Sequence, residues 1–145
     1  MGRFLAGVAV LSVVLAGSIG HAQMKVANLD DYRKAMQAIG GAVGGANKAL
    51  QGGMMADAKK ALAAAKPNLM GVEAFFTARS KPELVAMAKT AIEKVDALDK
   101  ALGGTDSAAA MAAFKEVGAT CQACHAKARD QDPNTKAYSF KPGIL

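Results

Sequence analysis

Apolar residues recur at alternating steps of three and four along Leu29, Tyr32, Met36, Ile39, Val43, Ala46 and Leu50. That rhythm keeps one stripe of a helix apolar and suits packing in a left-handed bundle. Asn28 and Asp30 are good caps, and Asp31 adds negative charge at the positive end of the helix dipole. A first helix is therefore predicted from this point to Gly52-Gly53, which stops it. Gly40, Gly41, Gly44 and Gly45 lie inside it, and each costs about 1 kcal/mol relative to alanine. Their cost predicts a close approach to this backbone, by a neighbouring helix or by the face of a flat prosthetic group.

The pattern predicts a second helix over residues 54–65, an interruption at Lys66-Pro67-Asn68, and a short helical turn over 72–77 with Phe75 and Phe76. Ser80-Lys81-Pro82-Glu83 reads as a capping box with proline in the first turn, opening a third helix. Its seam is Leu84, Met87, Ala91, Val95, Leu98 and Leu102, with Asp96–Lys100 as an outward pair and Gly103-Gly104 as its stop. A fourth helix starts at Thr105 or Asp106 and presents Met111, Phe114, Val117 and Cys121 on one face. From Gln131 onward, with Pro133 and Pro142, an irregular tail is expected. Alanine is abundant, β-branched runs are absent, and no repeat or linker divides the chain. The expectation is an all-α, antiparallel four-helix bundle forming one domain over residues 23–145.

Residues 1–22 read as a secretory signal peptide. Arg3 supplies the positive start, residues 4–15 the apolar core, and Gly20-His21-Ala22 a small-x-small cleavage site. That core is shorter than the roughly 20 residues of a spanning helix, so no membrane insertion is expected after cleavage. The mature protein would be periplasmic, and its charge would fall from +6 to +5 with the loss of Arg3. The lysines are scattered among acidic residues and aromatics make up only 5% of the chain, which excludes a nucleic-acid surface. The basic balance suits acidic redox partner proteins, or a solvated surface and nothing more.

Both cysteines of the chain fall in Cys121-Gln122-Ala123-Cys124-His125. C-x-x-C-H is the attachment sequence for haem c: each thiol adds across one vinyl group to give a thioether, and the adjacent imidazole can ligate the iron. A redox dithiol belongs beside a βαβ pattern, and none is visible. A zinc site needs further ligands, and no second Cys/His pair exists. Incidental cysteines in a haem-free four-helix protein are the third alternative. Cleavage removes His21, leaving His125 as the sole histidine of the mature chain. Bis-histidine coordination is thereby excluded. Without a free histidine, nucleophile elbow or metal cluster, enzyme catalysis has no support.

Four helices with C-x-x-C-H in the last, in an exported precursor, make the chain similar to the class II c-type cytochromes, the cytochrome c′ family. The resemblance covers nearly all of residues 23–129. It rests most on Tyr32-Arg33-Lys34-Ala35-Met36-Gln37-Ala38-Ile39-Gly40-Gly41 and on Cys121 to His125, with Arg129 beyond. It implies one haem c held by Cys121 and Cys124, with His125 as proximal ligand. Helix 1 would cover the distal face, where Met36 matches the methionine of low-spin, six-coordinate members. Arg33 matches an arginine near a haem propionate, and Arg129 a basic residue close to the proximal imidazole. Two positions depart from the family pattern. Arg33 precedes Met36 by three residues where four is usual, and Ala128 stands where an aromatic residue is common. Helices 1 and 2 mediate dimers in many relatives, while low-spin relatives are often monomers, so the resemblance allows a monomer or a homodimer.

Met36 decides between two functions. A thioether is a soft ligand that favours reduced iron; with His125 and Met36 both bound, the protein would carry single electrons between redox partners. With His125 alone, it would bind nitric oxide or carbon monoxide at an open distal site. The expectation is the electron carrier.

Overall fold

The computed structural model describes residues 24–145; the expected signal peptide and His21 lie outside the described residues. Five helices account for most of the described chain: α1 (Leu29–Gln51), α2 (Met55–Leu62), α3 (Ala65–Thr77), α4 (Pro82–Leu102) and α5 (Ser107–Ala128). A ribbon of two short strands, β1 (Arg129–Gln131) and β2 (Tyr138–Phe140), follows. The protein is an all-α helical bundle with a small antiparallel ribbon at its end.

Local chemistry sets the helix limits. Asn28 caps α1 by accepting the Asp31 amide at 2.9 Å, and the Asp31 carboxylate in turn accepts from Ala27 N at 3.2 Å. At its far end Gly53 adopts a left-handed φ of 74°, and Met54 N returns to Ala49 O. Asp106 caps α5, with one carboxylate oxygen accepting from Ala108 N and Ala109 N.

Four expectations need correction. The break in the second helical stretch falls at residues 63–64, and α3 starts at Ala65. Pro67 then lies in the first turn, where its missing N–H forfeits no helical bond. Second, Ser80 does not cap α4. It sits at φ 54° as the left-handed residue ending α3, where Lys81 N reaches Phe76 O and Ser80 N reaches Thr77 O at 3.1 Å each. This is a Schellman-type closure, and Lys81 becomes the N-cap of α4 without a side-chain bond. Third, Asp96 pairs with Lys66 of α3 at 2.8 Å and leaves the expected Lys100 pairing unmade. Finally, residues 131–145 are not wholly irregular. Tyr138–Phe140 pairs with Arg129–Gln131, in register Arg129 to Phe140 and Gln131 to Tyr138.

The core runs through Ala35, Ile39, Ala46 and Leu50 of α1, Leu62 of α2, Phe75 and Phe76 of α3, and Leu84, Val95 and Leu98 of α4. Helix α1 packs closely on α2 and α3, and α4 on α3 and α5, whereas α1 and α5 touch only sparsely. Among the α1 glycines, Gly45 alone meets a neighbour, with its side-chain position 3.3 Å from Ala61 of α2. Gly40, Gly41 and Gly44 face open space. The expected close approach therefore holds at one glycine of four. On the flank of the buried stripe away from Gly45, Tyr32, Met36 and Val43 are only half-buried. Of these, Tyr32 lies near Cys124 of α5.

Candidate functional site

Over its 22 residues α5 buries only Ala110, Val117 and Ala128 completely. Met111, Phe114, Gly118, Cys121, Cys124 and His125 are half-buried. A helix packed on all inner sides would hide such a face. Here α4 covers one side and α1 leaves the other largely uncovered. Position 118 adds to the gap, because a side chain there would meet nothing within 4 Å.

At the end of this gap lies a cavity of about 740 Å³, inside the usual size range of small-molecule sites. Leu29, Tyr32, Arg33, Met36 and Gln37 of α1 form one wall; Arg129, Tyr138, Phe140 and Leu145 belong to the other. Three residues singled out by the sequence, Arg33, Met36 and Arg129, thus share one cavity. The lining stops short of Cys121, Cys124 and His125, to which Arg129 forms the link. Arg33 is exposed and bonds Asp30 at 3.0 Å. An exposed pair of this kind holds with at most about 1 kcal/mol, so the guanidinium can exchange it for another anion.

Arg129 is one turn beyond His125, and its Nη2 lies 2.7 Å from His125 Nδ1. Arginine only donates, so Nδ1 accepts and the neutral ring carries its proton on Nε2. No hydrogen bond engages Nε2 among the described residues. Burial, with the Arg129 cation second, pulls the His125 pKa down from 6.5 to about 4. The ring is neutral at pH 7. For Nε2 to ligate a metal as a neutral imidazole its proton would have to pass to Nδ1, and the hydrogen bond from Arg129 would be given up.

Both thiols are free. Burial pushes Cys121 up, partly offset by Arg129; burial and then Cys121 push Cys124 up, again against Arg129. They lie in the last turns of α5, where the dipole also opposes a thiolate. Dithiol oxidoreductases need the reverse, a lowered thiol pKa such as a helix N-terminus supplies. Among the described residues no three His, Cys, Asp or Glu side chains converge as a metal-holding group. His125 on α5 and the Met36 thioether on α1 are the neutral side chains here with a lone pair that could serve a metal.

Aromatic neighbours were not foreseen in this role. Tyr32, one turn before Met36, packs on Phe75, Phe76 and Phe140 with ring centroids 5.0, 5.8 and 4.9 Å away. Burial, then the nearby Cys124, pushes its hydroxyl up to about 12, while Arg129 acts in the opposite sense. Tyr32 therefore stays neutral and joins α1 to the end of α5. The sequence signal was the alternation Tyr138-Ser139-Phe140, which places two aromatics on one side of a strand.

In comparison with known proteins, no family model matches the chain, and no curated protein or solved structure is significantly similar to it.

Proposed function

We propose that the protein is an exported haem protein of the class II cytochrome type, carrying single electrons between redox partners. The observation that carries this reading is the half-buried face of α5 that bears Cys121, Cys124 and His125, joined through Arg129 to a cavity lined by Met36. The chain's own residues fit a covalently held haem. Two protonated thiols each have an S–H to add across a vinyl C=C, sulfur to one carbon and hydrogen to the other. His125 is neutral with no hydrogen-bond partner at Nε2, Met36 lines a largely apolar cavity, and the exposed Arg33 guanidinium can turn from Asp30 to a carboxylate. When bound, the haem would supply one-electron chemistry at iron. What the protein contributes is orientation, a low-dielectric wall from Tyr32 and Phe140, and a fixed pair of ligands. The raised thiols disfavour a dithiol oxidoreductase, and the lack of a converging ligand group disfavours zinc.

Carbon monoxide added to the reduced protein tests the ligand set. The wild type should bind it slowly and weakly, because Met36 must first leave the iron, and Met36→Ala should bind it rapidly. Rapid, tight binding by the wild type would overturn the electron-carrier reading in favour of an open site for nitric oxide or carbon monoxide.

A further inference from the structure

Helix α5 passes into β1 with no intervening loop, so Arg129 begins the ribbon while remaining one turn from His125. Its guanidinium is held from two sides. Nη2 lies 2.7 Å from His125 Nδ1, and the guanidinium carbon lies 3.9 Å from the centre of the Tyr138 ring. Tyr138 comes from the opposite strand, paired with Gln131. Two residues further, Phe140 points to the same side of β2 and enters the cluster of Tyr32, Phe75 and Phe76, with centroids 4.9, 6.4 and 6.0 Å away. Lys141 closes the ribbon onto the helix end: its amide donates to Ala128 O at 3.0 Å and its Nζ to Ala126 O at 2.8 Å.

An arginine side chain left to itself samples many rotamers, and holding it in one costs conformational entropy. An aromatic face beneath a partly exposed guanidinium offsets part of that cost. Tyr138 can do so only while β2 stays docked, and Phe140 is what docks it.

We propose that the ribbon is a positioning device: Phe140 anchors it, and Tyr138 holds the Arg129 cation against the Nδ1 edge of His125. Its electronic consequence rests on the haem reading above. With haem bound, Nε2 would give its lone pair to iron and Nδ1 would carry the proton, so Arg129 would act there through its charge and not through the 2.7 Å hydrogen bond. A positive charge kept beside the axial imidazole favours the reduced iron, which carries one positive charge fewer.

The test uses the full mature protein purified from an oxidising compartment, as wild type, Tyr138→Leu and Tyr138→Phe. Tyr138 is half exposed, so neither change should disturb the bundle. The reduction potential should fall in Tyr138→Leu and return to the wild-type value in Tyr138→Phe, which keeps the ring face. Equal potentials in wild type and Tyr138→Leu, or no recovery in Tyr138→Phe, overturn the proposal. Should the purified chain carry no covalent haem, the haem reading fails by itself. The clamp is then read from the ring-nitrogen NMR shifts of His125. Wild type and Tyr138→Phe should keep an accepting Nδ1 and a protonated Nε2, and Tyr138→Leu should lose that preference. The same tautomer population in all three overturns the clamp.

Discussion

The surroundings of His125 hold its ring neutral. Half-burial and the Arg129 cation both disfavour imidazolium, so the folded ring titrates near 4 while an unfolded one titrates near 6.5. Between those values the unfolded chain binds the extra proton, and folding stability rises with pH. In haem-free protein, stability should therefore be complete above about pH 6.5 and decline as the pH falls toward about 4. Denaturant melts across that range should show this decline in the wild type and a flatter profile in His125→Gln. An equal slope in the two proteins would mean that the imidazole is not held neutral. The sequence identified His125 through its place after two cysteines. It did not reveal the 2.7 Å contact with Arg129, because a four-residue spacing puts two side chains on one helix face without fixing their rotamers.

At the scale of the element, periodicity read well where helices were long and capped. Asn28, Gly52-Gly53, Gly103 and Asp106 bound α1, α4 and α5 as their chemistry requires. It failed where one residue serves two elements. Ser80 has the identity of a cap for α4, but the close of α3 takes it into the left-handed region at φ 54°. A non-glycine residue there is disfavoured by roughly 1 kcal/mol. Ser80→Gly should accordingly stabilise the protein by about 0.5–1 kcal/mol in urea unfolding, with an unchanged slope; a loss of stability would mean that the hydroxyl does cap α4. The ribbon was hidden for a different reason. Its strands are three residues each, so the one alternation present, Tyr138-Ser139-Phe140, is too short to mark a strand by itself beside Pro133 and Pro142. The docking of Phe140 among Tyr32, Phe75 and Phe76, with the bonds from Lys141 to Ala128 and Ala126, holds the ribbon on the bundle.

Across the whole molecule, the helical class and much of the core followed from spacing, while the shape of the site followed from what does not pack. The stripe from Leu29 to Leu50 looked uniform in sequence. In the fold Ile39, Ala46 and Leu50 are buried, whereas Tyr32, Met36 and Val43 are only half-buried, and Tyr32 and Met36 line the cavity. Periodicity marks an apolar face but not which part of it meets a neighbouring helix. No helix among the described residues is long and apolar enough to cross a membrane. The central claim is that Cys121 and Cys124 hold a haem covalently. The intact mass of the mature protein, purified from an oxidising compartment with haem-attachment machinery, tests it most directly. The account predicts the mass of the polypeptide plus one haem, retained after denaturation and abolished by replacing both cysteines with alanine. A mass equal to the polypeptide alone, or haem that leaves on denaturation, would contradict it.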